Sequence, residues 1–309
     1  MSIEHEKAET PWVSVVCLNK NHVDTLRQTI TTVLGQTVSG LEFIVADGGS
    51  NDGSVELLKS YPQIRLLEGT DKSRDEGVLR AVRAARGKYI AFTTSTDGYV
   101  SLNWLERATN YLEANPAIAL AWGASIEMQE AGLVGKFYPE EFSFNETASQ
   151  GKDLFFDWLV YGLHGAYIPE LGYCVRSRIY KMLIEPDLNA PDLVNVDPIL
   201  RFHFEFMRRG YLAFYLSVLA NFGRIHDNQG QHTPEAKRWE VSYESARRAH
   251  VKRLLSGEAV HVWRDPSGRE IQRLERSDIV MRLLIGKVKK PFRKLRRSVL
   301  KKIRRLMPG

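Results

Sequence analysis

The stretch "LEFIVADGGSNDGS", residues 41–54, decides the class of fold that this sequence predicts. Its first half is a nearly continuous apolar run that ends at Asp47, which is typical of a strand buried on both faces of a sheet. The glycines and small polar residues that follow predict a tight turn. Asn51 or Asp52 can then cap a helix over "GSVELLKSY". A strand, a turn and a helix in this order form the beginning of a β-α-β unit.

The same alternation extends to both sides of this unit. Segments with a helical pattern, such as residues 22–35, separate further apolar runs that predict strands: "WVSVVCL" (12–18), "IRLLEG" (64–69), "KYIAFTT" (88–94) and "AIALAWGASIEM" (117–128). This order predicts an α/β fold with a mostly parallel sheet and right-handed crossovers. After residue 129 the pattern is less regular.

Length and composition point to an ordinary globular protein. The chain has 309 residues, of which 43% are hydrophobic and 26% charged, enough for one large domain with an appendage or for two domains. The two cysteines, Cys17 and Cys174, lie far apart, which favours a reducing compartment over a disulfide framework. No stretch approaches the about 18 apolar residues of a membrane span, and the polar N-terminus is not a secretory signal. We therefore expect a cytoplasmic protein.

The net charge of +6 comes from one segment. Eleven of the 43 Lys and Arg residues lie in residues 287–305 with no acidic residue among them, and the remaining 32 are outnumbered by 37 acidic residues. Within residues 287–306 the apolar side chains follow helical spacing: Phe292, Leu295, Val299, Ile303 and Leu306. This pattern predicts a basic amphipathic helix that binds an anionic membrane surface. No nucleic-acid-binding motif accompanies the charge, so we expect no nucleic-acid partner.

Motifs of several enzyme classes are absent, and acidic residues at strand ends remain. The sequence has no G-x-G-x-x-G after a strand, no P-loop, no H-E-x-x-H and no G-x-S-x-G. Asp47, Asp71, Glu76 and Asp97 instead lie at or just after the carboxyl ends of successive strands, where open α/β sheets bind ligands.

Several motifs in one order, "VSVVCLNKN", "LRQTITTVLGQT", "LEFIVADGGSNDGS", "GKYIAFTTSTDGY" and "LEANPAIALAWGA", closely resemble the GT-A-fold family 2 glycosyltransferases. The resemblance runs from Trp12 to Met128 and continues more loosely to Thr233. It implies a Rossmann-like GT-A domain that moves a sugar from a nucleotide-diphosphate donor to an acceptor hydroxyl with inversion. Many relatives build cell-surface polysaccharides, so a glycan or lipid-linked acceptor at the inner face of the membrane is expected.

The resemblance also implies roles for the strand-end residues. Asn19 matches a nucleotide contact, Asp47 would accept hydrogen bonds from the base, and Asp71 and Glu76 fall near the ribose and diphosphate. Glu76 has the alternative of simply beginning a helix favourably. Uridine is the favoured base.

A divalent metal ion, Mn or Mg, is implied with a reduced ligand set. Asp97 matches a metal-binding position, but Thr96 stands where relatives commonly carry a second acid. His226 matches a histidine that family members often add. One carboxylate, phosphate oxygens and water can hold such an ion.

The catalytic base implied by the family is Asp197, with Asp192 a poorer second choice. Asn195 stands where relatives carry another acid. Asp197 precedes Pro198 and is also a good helix N-cap, a role compatible with catalysis.

The chain is expected to divide into a polar segment (1–10), a nucleotide-sugar-binding half (11–128), an acceptor-side half (129–255) and an extension with the basic tail (256–309). Two alternatives to an active glycosyltransferase remain. One is a catalytically impaired GT-A protein that binds nucleotide or regulates, favoured by Thr96 and Asn195. The other is a nucleotidyltransferase, which the motif order disfavours.

Overall fold

A computed structural model describes residues 11–129, 132–138, 151–162, 171–185, 193, 196–225 and 234–285. Its strands are β1 (Val13–Asn19), β2 (Leu41–Asp47), β3 (Ile64–Glu68), β4 (Tyr89–Thr94), β5 (Gly98–Tyr99), β6 (Leu120–Gln129), β7 (Gly132–Tyr138), β8 (Tyr173–Arg176), β9 (Ala213–Arg224), β10 (His261–Arg264) and β11 (Glu270–Leu274). Its helices are α1 (Val23–Leu34), α2 (Ser54–Lys59), α3 (Arg74–Ala84), α4 (Trp104–Ala114), α5 (Gly151–Tyr161), α6 (Ser177–Ile184), α7 (Pro198–Arg208) and α8 (Pro234–Ser256).

One large sheet organises the described part of the chain. Its strand order is β3-β2-β1-β4-β8-β6-β9-β5, with β7 paired to β6. Strands β3, β2, β1 and β4 are parallel, as their short helical crossovers require. The α/β class expected from the sequence is thus confirmed.

The second half of the sheet is mixed. Strand β8 lies antiparallel between β4 and β6, while β6 and β9 pair in parallel. Two successive antiparallel pairings restore the original direction, so β1, β4, β6 and β9 all end at one edge of the sheet. We call this the carboxyl edge, and the opposite one the amino edge.

Helices cover both faces of the sheet, which explains the continuous apolar runs. Along β1, Val15 and Cys17 face the core layer that contains α1 and α4, whereas Val16 faces the layer that contains α3 and α7. A strand buried on both faces gains hydrophobic stabilisation from every apolar side chain. Both cysteines are free and fully buried, Cys17 in β1 and Cys174 in β8.

The amino edge carries an additional small hairpin. Strands β10 and β11 pair antiparallel, and the hairpin meets the turn after α7 through Arg264 N, which donates to Gly210 O at 2.9 Å. Gly210 has a φ of +74°, and a Cβ there would lie 1.9 Å from Val262 O. Only glycine fits this position, because it combines positive φ with close backbone contact.

The chain continues as a helix over residues 276–285. None of the helices in the described ranges is long and apolar enough to cross a membrane. The basic amphipathic helix expected over residues 287–306 lies outside the described residues.

Candidate active site

Three predicted site residues, Asn19, Asp47 and Asp97, lie at or just after the ends of the central strands β1, β2 and β4. Asn19 ends β1 and pairs in register with Asp47, which ends β2. The segment after β4 is joined to β1 because Ser95 N donates to Leu18 O at 2.9 Å. The structure thus brings the predicted residues to the carboxyl edge, where open α/β sheets bind ligands.

Asp47 holds the Gly-rich loop after β2 in place. Its Oδ1 accepts from the backbone N–H groups of Gly49 and Ser50 at 3.0 and 2.8 Å. Its Oδ2 accepts from Asn19 Nδ2 at 2.7 Å and from Ser50 Oγ at 2.6 Å. Both oxygens are therefore engaged with the chain itself, so the carboxylate fixes the shape of this loop.

The pKa of Asp47 lies below its ordinary value. Burial alone would raise the pKa, but the hydrogen bonds from Ser50, Asn19 and Gly49 outweigh burial and favour the charged form. The carboxylate is only 1% exposed and stays ionised at neutral pH.

Asp52 fixes the other end of the same loop. Its Oδ1 accepts from Ser54 N at 3.0 Å at the start of α2, although the N-cap residue is Gly53 and not Asn51 or Asp52 as the sequence suggested. Its Oδ2 accepts from Val23 N at 2.8 Å, the first residue of α1. One carboxylate therefore satisfies N–H groups at the ends of two helices.

Asp71 is clamped by Arg80 of α3. The guanidinium donates to Asp71 Oδ2 at 2.6 Å and to Oδ1 at 3.2 Å. The same guanidinium donates to Asp47 O at 2.9 Å and to Leu67 O, at the ends of β2 and β3. Arg80 thereby ties the Asp71 loop to two strand ends.

Glu76 closes the N-terminus of α3. Ser73 is the N-cap and accepts from Glu76 N at 3.4 Å, while Glu76 Oε2 accepts from Lys72 N at 2.8 Å. This arrangement is close to a capping box. The structure thus gives Glu76 the helix-starting role that was the alternative to ribose or diphosphate contact.

The loop after β4 surrounds Asp97 with hydroxyl groups. Asp97 Oδ2 accepts from Thr94 Oγ1, which lies 3.0 Å from Thr96 Oγ1. Asp97 Oδ1 accepts from Arg224 N at 2.9 Å at the end of β9. The Arg224 guanidinium bonds Thr96 O at 3.1 Å, so a positive charge lies beside this loop.

The Asp97 loop offers oxygen ligands suited to a divalent cation. Asp97 supplies one carboxylate, and Thr94 and Thr96 supply hydroxyls. Within the described ranges no three His, Cys, Asp or Glu side chains cluster as a metal site, and His226 lies outside those ranges. The residues would fit a cation that takes Asp97 as its one carboxylate, and phosphate oxygens and water would have to supply the other ligands.

Asp197 caps α7 and pairs with an arginine. Its Oδ1 accepts from Ile199 N at 2.9 Å and from Leu200 N at 3.3 Å. Its Oδ2 accepts from Arg74 Nη1 at 2.5 Å, and the Asp197 side chain is 3% exposed. Arg74 is the first residue of α3, so the pair joins α7 to the loop that carries Asp71 and Glu76.

Sequence reasoning missed the basic residues of the site, Arg74, Arg80 and Arg224. Each is one arginine among many, and the partners of Arg74 and Arg224 lie far away along the chain: 123 residues separate Arg74 from Asp197, and 128 separate Arg224 from Thr96. Arg80 lies in α3 only nine residues after Asp71, and this short spacing is the one local signal that could have found a member of this set. Asn195 and Asp192 lie outside the described residues.

Comparison with known proteins finds a family match in the first half of the chain. The model of glycosyl transferase family 2 matches residues 13–158. This segment, which holds β1 to β7 and the strand-end loops, is thus similar to glycosyl transferase family 2 and makes up just under half of the chain.

Curated relatives are partial matches. The uncharacterized glycosyltransferase YibD of Escherichia coli K12 is 34% identical over 89 residues, 28% of this chain and 26% of YibD. An uncharacterized glycosyltransferase of Haemophilus influenzae is 25% identical over 232 residues, 71% of this chain and 67% of that protein. WfgD of Escherichia coli, named as a UDP-Glc:alpha-D-GlcNAc-diphosphoundecaprenol beta-1,3-glucosyltransferase, is 29% identical over 43% of this chain and 54% of WfgD.

Among solved structures, Staphylococcus aureus TarS (residues 1–349, in complex with UDP) has the same fold. The superposition has a TM-score of 0.53 and 12% sequence identity, and covers 90% of this chain and 71% of TarS. At this identity the likeness establishes the fold alone.

Proposed function

We propose that the protein transfers a sugar from a nucleotide-diphosphate donor, with UDP-sugars favoured, to a hydroxyl of a glycan or lipid-linked acceptor. The match of residues 13–158 to glycosyl transferase family 2 supports the reaction class. The UDP donor and lipid-diphosphate acceptor in the name of WfgD, and the UDP bound to TarS, support the substrate classes. The product belongs to cell-envelope polysaccharide synthesis.

The observation that carries this proposal is the preformed loop at the carboxyl edge. Asn19, Asp47 and Ser50 lock one another through bonds of 2.6 to 3.1 Å, so the Gly-rich turn has a fixed shape before any ligand binds. A rigid turn beside Asp71 and Asp97 suits a nucleoside diphosphate, since preorganisation lowers the cost of binding. In this proposal Asn19 and Asp47 position the base, and Asp71 and Glu76 lie near the ribose and diphosphate.

Asp197 serves as the general base of an inverting transfer. It takes the proton of the acceptor hydroxyl as that oxygen bonds to the anomeric carbon, and the bond from this carbon to the diphosphate breaks on the opposite face. Asp197 Oδ2 must first be released by Arg74. The Arg74 side chain is 34% exposed, so it can turn from Asp197 to the diphosphate when the donor binds.

A divalent cation, Mn or Mg, is held in this proposal by Asp97 and His226. When bound, it neutralises charge on the leaving diphosphate. The guanidinium of Arg224, beside Thr96 O, contributes positive charge on the protein side of the same loop.

A second candidate is a nucleotide-binding or regulatory protein of impaired catalytic power. The engagement of both Asp197 oxygens by helix N–H groups and Arg74 favours it, because a base needs a free lone pair directed at the substrate. Thr96 in place of an acid favours it as well.

In this proposal the protein acts at the cytoplasmic face of the membrane. The eleven basic residues of 287–305 would attract anionic lipid, each adding roughly 1 kcal/mol near the surface. An acceptor linked to lipid would then be presented at that surface.

Calorimetric titration of UDP and then GDP, with and without Mn, tests the proposal. We expect metal-dependent UDP binding that is lost in Asp97→Ala and His226→Ala, with the exposed Asp278→Ala as a matched control. A parallel assay follows UDP release from UDP-sugars in the presence of acceptor. Metal-dependent binding without any turnover would select the second candidate, and no nucleotide binding at all would contradict both.

A further inference from the structure

A basic cleft lies at the amino edge of the sheet, away from the candidate active site. It has a volume of about 210 Å³ and is formed by the end of α7, the last turns of α8 and the β10 hairpin. Its lining residues are Arg208, Arg209, His250, Arg253, Ala259, Val260, Val262 and Arg264.

The topology separates this cleft from the nucleotide site. Helix α7 begins after Asp197 at the carboxyl edge and ends at Arg208, just before β9 begins at Ala213. Strand β9 runs parallel to β6 and therefore begins at the amino edge. Because β9 crosses the whole sheet, the cleft and the Asp97 loop lie at opposite ends of the same strand.

The described lining of the cleft carries a net positive charge. Of its four arginines, Arg208 and Arg209 share one acid, Glu205, through bonds of 2.5 to 2.9 Å. Among the described residues, the Arg264 side chain donates only to a backbone carbonyl, that of Gly268, at 3.4 Å. The side chain of Arg253 forms no hydrogen bond to any described residue. Arg253 and Arg264 thus have no neutralising carboxylate among the described residues, and such an arrangement attracts anions.

His250 adds a ring nitrogen that lacks a hydrogen-bond partner among the described residues. Its Nε2 is buried and has no hydrogen-bond partner among the described residues. Burial, followed by the positive charges of Arg208 and Arg253, lowers the pKa of His250 to about 4, while Glu205 opposes this shift. A neutral imidazole of this kind still carries one N–H that an anionic oxygen can accept from.

We propose that this cleft binds a phosphate or diphosphate group. Guanidinium groups match the oxygens of phosphate in pairs, and several arginines from three different elements surround one small volume. The arginines converge on one cleft from α7, α8 and β10, whereas a solvated run of charges would lie along a single element. The phosphate can come from the head group of an anionic phospholipid or from a soluble phosphorylated compound.

Arg253→Gln is the discriminating variant. Arg253 is exposed and forms no side-chain hydrogen bond to a described residue, so its removal leaves the fold intact. Lys252→Gln is the matched control, because Lys252 is the preceding exposed residue of α8, loses the same charge and does not line the cleft.

The full chain is titrated with inorganic pyrophosphate in a calorimeter. We expect about tenfold weaker binding in Arg253→Gln and a further loss in Arg253→Gln/Arg264→Gln, with Lys252→Gln like the wild type. Pyrophosphate binding that is equal in all four proteins would place it elsewhere, such as the nucleotide site, and would overturn the proposal. UDP binding is measured on each variant and is expected to stay unchanged.

Vesicle flotation distinguishes the two sources of phosphate. Phosphatidylglycerol vesicles are compared with phosphatidylcholine vesicles for the double variant and for Lys252→Gln. Weaker flotation of the double variant alone assigns the cleft to a lipid head group. Equal flotation, together with the loss of pyrophosphate binding, assigns it to a soluble phosphorylated ligand.

Discussion

At the scale of the single residue, Asp197 caps a helix and is also the proposed general base. Its carboxylate caps α7 and forms the 2.5 Å pair with Arg74, so it joins two helix N-termini at the carboxyl edge. A cap requires only an acceptor, whereas a general base requires a charge and a free lone pair. Substitutions can therefore separate the two roles.

For Asp197→Asn we expect transferase activity to fall about a hundredfold or more, because the amide cannot take the proton. Asn remains a good N-cap, so the free energy of unfolding should fall by no more than about 2 kcal/mol. Urea denaturation and UDP release measure the two effects. Asp197→Ala should lose about 1 kcal/mol more through the missing cap. Full activity in Asp197→Asn would leave Asp197 as a cap only.

At the scale of the element, the N-terminus of α3 concentrates most of the missed features of the site. Ser73 and Glu76 close the helix, Arg74 reaches Asp197 and Arg80 clamps Asp71. One helix therefore positions both the expected diphosphate region and the expected base. A shift of its first turn would therefore displace groups in both regions.

Glu76→Gln keeps an acceptor for Lys72 N, so we expect unchanged stability and UDP affinity within about twofold of the wild type. Glu76→Ala should lose about 1 kcal/mol of unfolding free energy and bind UDP more weakly. Ser73→Ala is the control that removes the acceptor of Glu76 N and weakens the cap while the Glu76 side chain is kept. If Glu76→Ala and Ser73→Ala bind UDP equally, Glu76 acts on the helix alone.

The elements near the N-terminus could be predicted from the sequence because their signals are local. The apolar runs, the Gly-rich turn after Asp47 and the strand-end acids need no distant partner to be recognised. The antiparallel insertion of β8 between β4 and β6 could not be predicted, since strand neighbours depend on pairing between segments far apart in sequence. The Arg74–Asp197 pair could not be predicted for the same reason.

At the scale of the whole molecule, the packing of the hairpin against α5 buries a histidine without partners. His261 is 1% exposed, stacks on Phe155 at 3.6 Å between ring centroids, and neither ring nitrogen has a hydrogen-bond partner among the described residues. Burial, followed by electrostatic interaction with His250 and Arg264, lowers the pKa of His261 to about 3.

This lowered pKa predicts how stability changes with pH. An unfolded histidine titrates near about 6.5, so the unfolded state takes up a proton first as the pH falls. The contribution of neutral His261 is complete above that pH and is lost progressively toward pH 3. In His261→Phe the loss of unfolding free energy between pH 7.5 and pH 5 should be smaller by about 2 kcal/mol.

Urea unfolding at several pH values measures this difference. Phe155→Leu is the control, because it loosens the same ring stack without removing a titrating group. Its stability should fall with pH in parallel with the wild type. A wild-type slope in His261→Phe would mean that His261 does not drive the acid sensitivity.

The basic residues of 287–305 are expected to determine whether the protein binds the membrane surface. Deleting residues 287–309 should leave UDP affinity unchanged and reduce binding to anionic vesicles at least tenfold, given about 1 kcal/mol for each basic residue near the surface. Replacing only the apolar stripe of residues 292–306 with serine separates lipid insertion from charge attraction. Vesicle binding that survives the deletion would remove the anchor from the proposal.

The burial of both cysteines has a practical consequence for experiments on this protein. Cys17 and Cys174 are the two thiols of the chain, each is 0% exposed, and burial raises the pKa of both. Thiol reagents attack the thiolate, so the native protein should be silent toward maleimides, and the rate of labelling should report the opening of β1 and β8. A cysteine introduced at Lys252 would then carry a single fluorophore, beside the basic cleft, on an otherwise unreactive surface.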